Sequence, residues 1–456
     1  MEEMLRSAYW PFFLLLSSMC LVVLLIGRLR IPPFIALIIA ALFVGLLTPD
    51  LPLLTGQTWL NTALELPLVE FGTMAGKIAW VIALAAVIGV AMLESGGAQR
   101  IVHDLLRYLG EGKAAFALLL CGFILSIPVF FDTVFFLLIP LGIALARKTG
   151  KDYLWYVLAI GGGAVINHSI VPPTPGPLIM AETLGLDLGF VILTGLVAGL
   201  IPSAMVWTIG RRINRRMPLP VRTDVGVDNL VLVLPGLLPS LTPIFLPVVL
   251  IGSSSMITLV SDTIPPWVVF LGNKNIAMGL GAFAAVVLLA KGRGLGREAL
   301  WQRVSKPLEV AGVIILITGA GGAYGAMIGH TGIGQLIGML AERFHIHYIP
   351  LAWLLAAMFK TAQGSGTVAM IASSSIMLGM LHTGPPLTFH PVYLFLAMGF
   401  GSVFISWMND SAFWVVSRMS GFSEKETLKT WTFLLALIGL IGLLQVMLAA
   451  WLFPMQ

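Results

Sequence analysis

The chain has 456 residues, of which 58% are apolar and only 10% are Asp, Glu, Lys or Arg. With a mean hydropathy of +0.98, it carries far less charge than the roughly 25% of a soluble domain, which excludes a water-soluble enzyme and a disordered chain. The net charge of +5 comes from few residues, which excludes a nucleic-acid binder and leaves an all-α polytopic membrane protein.

A spanning helix needs about 20 apolar residues. The apolar run from Tyr9 to Ile26 ends at Arg28 and Arg30 and has no small-residue cleavage site. It reads as a first span, not a cleavable signal. Spans follow at 32–48 and 78–93. Residues 114–146 are then too long for one crossing and are interrupted by Ser126, Pro128 and Asp132. Cys20 and Cys121 lie inside apolar runs, fit no disulfide or metal pattern, and read as small buried hydrophobes.

Spans at 154–183 and 189–209 come next. The first contains Asn167-His168, then Pro172, Pro173, Thr174, Pro175 and Pro177, a run that no continuous helix accommodates. A basic linker at 210–229 leads to spans 230–251, 274–290 and 309–329. Segment 292–308 reads as a cytoplasmic surface helix. Gly321, Gly325 and Gly329 form a small-residue packing stripe, and Gly161-Gly162-Gly163 reads the same way. His345 and His347 have no third ligand nearby, so no metal site is expected. A second long stretch, 349–382, is interrupted by Gln363-Gly364-Ser365-Gly366-Thr367. Span 392–417 carries Asn409-Asp410-Ser411, and 431–453 is the last.

Basic residues orient the chain. With both termini on the outer side, each interrupted stretch must enter and leave on one face, as a re-entrant helical hairpin. Of the 26 Lys and Arg, only Arg6, Lys77, Lys274, Arg343 and Lys360 then lie off cytoplasmic segments. Counting either stretch as a full crossing destroys the bias. Residues 1–209 and 230–456 each read span, span, span, hairpin, span, span, the first entering from outside and the second from inside. These are two inverted-topology repeats, each with a hairpin and a broken transmembrane helix. Transporters place substrates on such broken helices at the repeat interface.

Asp132 stands in an apolar setting, where a charge costs at least ~2.5–3.5 kcal/mol on insertion scales. It reads as a proton or substrate site, or else as a carboxylate capping a half-helix. His168, beside the proline break, can exchange protons near neutral pH or be a packing residue. Lys360 is the only Lys or Arg of its stretch. With Gly364, Gly366 and the amides of the helix that follows, it makes a carboxylate clamp; alternatively it neutralises Asp132 or Asp410, or snorkels outward. Asp410 relays a proton or pairs with Lys360.

Four segments carry a resemblance: PVFFDTVFFLLIPLGIALAR at 128–147, INHSIVPPTPGPLI at 166–179, KTAQGSGTVAMI at 360–371 and WMNDSAFWVVSRMSGFSEKETLKTWT at 407–432. Together, and in this order, they resemble the gluconate permease (GntP) family of proton symporters, within the broader ion-transporter superfamily. The resemblance implies import of gluconate, D-serine or another small carboxylate with protons across a bacterial inner membrane. It implies a homodimer with a scaffold and a moving, elevator-like transport domain, and no cofactor beyond the proton gradient. On that reading Lys360 and the amides around Gly364, Ser365 and Gly366 bind the carboxylate. Asn167, Thr174, Thr367, Asn409 and Ser411 bind hydroxyls, and Asp132, His168 or Asp410 takes the proton. A rival reading is an intramembrane enzyme using Asp132, His168 and Asp410, although no nucleophile–base or HExxH motif is present. A passive channel is a third.

Overall fold

The structure is a computed structural model and describes residues 9–49, 51–54, 56–222, 234–260, 265–333, 347–383 and 386–455. Arg6, Asp50, Asp262, Arg343, His345 and linker residues 223–229 fall outside these. All regular structure among the described residues is helical. In the first part of the chain the helices are α1 (Trp10–Val23), α2 (Pro33–Leu47), α3 (Trp59–Glu94), α4 (Gly97–Leu109), α5 (Ala114–Leu125), α6 (Phe131–Thr149), α7 (Tyr153–Ile170), α8 (Pro175–Thr183), α9 (Leu188–Ala198) and α10 (Leu200–Arg216). After the linker come α11 (Leu237–Val260), α12 (Pro266–Gly272), α13 (Lys274–Arg293), α14 (Arg297–His330), α15 (Tyr348–Gln363), α16 (Gly366–Thr383), α17 (Val392–Gly401), α18 (Ser411–Ser420), α19 (Glu424–Thr427) and α20 (Phe433–Leu452). Among the described residues, seven helical runs are long and apolar enough to cross a membrane: α3, α7 with α8, α9 with α10, α11, α13, α14, and Glu424–Leu452.

Local chemistry explains where these helices start and stop. Asp187 caps α9 by accepting from Phe190 N–H at 2.7 Å, and Ser423 with Glu426 forms a capping box on α19. The interrupted stretches divide where the sequence is polar or rich in Pro and Gly. Residues 126–130 separate α5 from α6, and 171–174, with a cis Pro172-Pro173 bond, separate α7 from α8. Gly364, at φ +87°, ends α15. Nine irregular residues, 402–410, separate α17 from α18.

Two helices are longer than expected. The span anticipated at 78–93 begins at Trp59, and the expected surface helix 292–308 runs unbroken into the span 309–329 as α14. Charges lower the local hydropathy, but they do not end a helix that can keep them on one face. In the first turns of α3, Thr62, Ala63, Leu66 and Pro67 are buried while Asn61 and Glu65 are exposed. Pro67 and Pro307 both lie inside continuous helices, tolerated because neighbouring helices support the freed backbone.

α14 lies between α3 and α16. The glycine stripe faces α16, as its packing pattern suggests, and Gly322 beside it faces α3. A Cβ on Gly325 would sit 2.1 Å from Ser375 Cβ, and one on Gly322 would sit 2.5 Å from Met74 Cβ. Small residues thus let backbones approach on both sides. Gly161, Gly162 and Gly163 similarly admit Trp431, Val206 and the Leu119 carbonyl against α7. Cys121 is buried, as expected; Cys20 is exposed.

Candidate functional site

Four helices begin immediately after a break, and all four beginnings line one cavity. Phe131 starts α6, Pro175 starts α8, Gly366 starts α16 and Ser411 starts α18, and each faces a cavity of about 410 Å³. A helix N-terminus carries roughly half a positive charge and unsatisfied N–H groups. Neither α6 nor α8 has a side-chain cap. The α16 start is held by Val368 N–H donating to Ser365 Oγ at 3.3 Å. The other wall is apolar: Val310, Ile314 and Ile317 of α14, with Val165, Val403 and Leu435.

Lys360 stands at the end of α15 and reaches the cavity while remaining only 4% exposed. Its Nζ donates to Asp410 Oδ2 at 2.6 Å and to the Gly364 carbonyl at 2.6 Å. An ammonium has three hydrogens, so one remains for a ligand. Asp410 is equally buried. Its Oδ1 accepts from Ala412 N–H at 3.1 Å, capping α18, and its Oδ2 also accepts from Ser406. The sequence left Lys360 a choice between Asp132 and Asp410; the fold pairs it with Asp410.

Asp132 lies in the first turn of α6, half-buried on the cavity wall. It is the cavity carboxylate without an ion-pair or hydrogen-bond partner among the described residues. His168, near the end of α7, also lines the cavity. Its Nδ1 is buried without a hydrogen-bond partner among the described residues, and its ring meets Phe130 edge-on at 6.3 Å.

Of the other residues expected at the site, Ser365, Gly366, Thr367 and Ser411 line the cavity; Gly364, Asn167, Thr174 and Asn409 do not. Each of these four is committed to the breaks themselves. Asn167 donates to the Phe123 carbonyl at 2.6 Å, and Thr174 to the His168 and Val171 carbonyls at 2.9 and 2.8 Å. Asn409 donates to the Thr361 carbonyl at 2.8 Å. Thr133, Ser169 and Ser402 line the cavity and were not singled out. Each is a hydroxyl close to a break, which is the one signal that could have found them. Among the described residues no group of three His, Cys, Asp or Glu side chains converges as a metal site would require.

A model of the family described as "GntP family permease" matches residues 10–452. A gluconate permease of Pseudomonas aeruginosa is 31% identical, covering 98% of this chain and 99% of its own. A D-serine transporter of Escherichia coli, DsdX, is also 31% identical, over 96% of this chain and 98% of its own. Among solved structures, the YdaH transporter of Alcanivorax borkumensis superposes with a TM-score of 0.64 at 17% identity, covering 92% of this chain and 98% of that one. The MtrF structure of Neisseria gonorrhoeae superposes with 0.66 at 16%, covering 94% and 96%. These two share the fold. The chain belongs to the GntP permease family, and so it is a multi-pass membrane transporter and not an enzyme.

Proposed function

We propose that this protein imports gluconate, or a closely related hydroxycarboxylate, together with protons, by alternating access at the cavity between α6, α8, α16 and α18. One observation carries the reading: four half-helix N-termini and the buried Lys360 meet at a single cavity. That is the field an anion needs in a dry environment. The volume, about 410 Å³, falls in the range of about 300–1,000 Å³ usual for small-ligand sites. The remaining Lys360 N–H and the amides opening α6 and α16 bind the carboxylate. Thr133, Ser365, Thr367 and Ser411 bind hydroxyls. Asn167, Thr174, Gly364 and Asn409 keep the broken segments in shape.

Asp132 is the proton carrier in this reading. Asp410 is committed to Lys360, Ser406 and its helix cap, whereas Asp132 has no ion-pair or hydrogen-bond partner among the described residues. Its charge and a substrate carboxylate compete for the same positive field. Two like charges at 4 Å repel by about 4 kcal/mol at an effective dielectric of 20. Protonating Asp132 removes that repulsion, so proton and anion bind together. On this reading His168, which also lines the cavity, exchanges the proton with it.

The order of elements supports two inverted repeats. Each half has a long proline-containing helix (α3, α14), an interrupted pair (α5–α6, α15–α16) and a broken span (α7–α8, α17–α18). The pairs act as re-entrant hairpins, and with the broken spans they form a unit that moves elevator-fashion against the other helices. Residues 1–209 and 230–456 are the repeats and 210–229 the cytoplasmic linker; both termini are periplasmic in a bacterial inner membrane, and the protein works as a homodimer embedded in lipid.

In proteoliposomes, uptake of labelled gluconate should accelerate when an inward proton gradient is imposed. Uptake indifferent to the gradient would remove proton coupling. D-serine is the second reading, because a D-serine transporter matches at the same 31% identity. Competition of unlabelled D-serine and sugar acids against labelled gluconate separates the two.

A further inference from the structure

Asp410 receives more hydrogen bonds than its helix cap requires. Besides Lys360 and Ala412 N–H, it accepts from the hydroxyl of Ser406. Ser406 is wholly buried in the irregular stretch between α17 and α18. Its Oγ accepts in turn from the indole Nε1–H of Trp431 at 3.3 Å, and its carbonyl accepts from Thr432. Trp431 is also wholly buried. It sits in a π-helical turn, Leu428–Thr432, at the head of α20; such turns occur frequently at functional sites. The indole also meets the ring of Phe131 at 5.7 Å. Phe131 lines the cavity and precedes Asp132 at the start of α6. Trp431 therefore joins Ser406, which donates to Asp410, to Phe131, the residue before Asp132.

The chemistry of these groups fixes the direction of the chain. An indole N–H can only donate, and a serine hydroxyl has one hydrogen to give. With Trp431 donating into Ser406, that hydrogen goes to Asp410. Asp410 thus accepts from Ser406, Lys360 and Ala412 at once, and its two oxygens have lone pairs for all three.

We propose that Ser406 and Trp431 are positioning residues for substrate binding. Their relay holds the Asp410 carboxyl in place beside Lys360, which keeps Lys360 Nζ on the cavity wall with one N–H free. The contact with Phe131 ties this arrangement to the helix end that bears Asp132. The inference rests on the reading of the cavity as the transport site.

The test uses the full-length protein in proteoliposomes and labelled gluconate. Ser406→Ala should raise KM about tenfold, the scale of one lost hydrogen bond to a charged group, and leave Vmax nearly unchanged. Ser406→Thr, which keeps the hydroxyl, should restore KM. Trp431→Phe, which keeps a ring against Phe131 but loses the donor, should also raise KM, and it reports on the relay even if the alanine variant fails to fold. A fall in Vmax at constant KM, or equal effects of alanine and threonine at position 406, would overturn the relay. Lys360→Met separates the two ideas. If it leaves KM unchanged, the site reading fails. If it raises KM while Ser406→Ala and Trp431→Phe do not, the relay alone fails.

Discussion

Lys360 and Asp410 share an environment in which neither charge is stable alone. Removing one partner of such a pair leaves the other uncompensated and costs about 3–5 kcal/mol. Lys360→Met should therefore lower the thermal midpoint in detergent markedly, whereas Lys77→Ala, at an exposed position, should change stability by less than about 0.5 kcal/mol. Replacing both members together, Lys360→Met with Asp410→Leu, should recover most of the stability without recovering gluconate binding. That split distinguishes a site from a structural pair. Asp132→Asn imitates the protonated carboxyl. Gluconate exchange should persist in this variant, while uptake should lose its response to the proton gradient. Loss of both would make Asp132 structural. Sequence alone picked out Asp132, Lys360 and Asp410, because a charge in an apolar stretch demands a reason. It did not say which carboxylate Lys360 meets, since the partners stand 50 residues apart.

At the scale of elements, the α14–α16 contact is the one most exposed to a single methyl group. Gly325→Ala places a Cβ 2.1 Å from Ser375 and should cost about 1–3 kcal/mol by overpacking. Because α16 opens onto the cavity, gluconate affinity should fall with it. Gly312→Ala is the control on the same helix, where a Cβ meets nothing within 4 Å; its thermal midpoint should be unchanged or higher, in line with alanine's helix propensity. Helix breaks were legible here because proline removes a donor and glycine frees φ. Helix starts were less so. The early beginning of α3 is consistent with Glu65 standing on an exposed face of it, and a hydropathy average does not see faces.

For the whole molecule, orientation is the decisive question. Lys113 and Lys151 flank α5 and α6, and both are exposed. Cysteines introduced at these two positions, in a background lacking Cys20 and Cys121, should react with an impermeant reagent from the same, cytoplasmic, side. Reaction from opposite sides would turn the pair into a single crossing and invert every span after it. The solved transporters that share this fold do so at 16–17% identity. The architecture is thus specified by patterning that many sequences satisfy.

The sequence by itself determined the solvent, the helical class and the four breaks. Each is a local consequence of composition: apolar runs of spanning length, basic residues at their ends, and Pro, Gly and Asp where a membrane helix cannot continue. Only the tertiary structure decided what the breaks do. It brought four helix beginnings to one cavity, turned Asn167, Thr174 and Asn409 onto backbone carbonyls, and closed Lys360 onto Asp410 with Ser406 and Trp431 behind it. At a break the chain leaves helical periodicity, so spacing no longer tells which way a side chain points. Its direction is then set by packing between elements far apart in sequence.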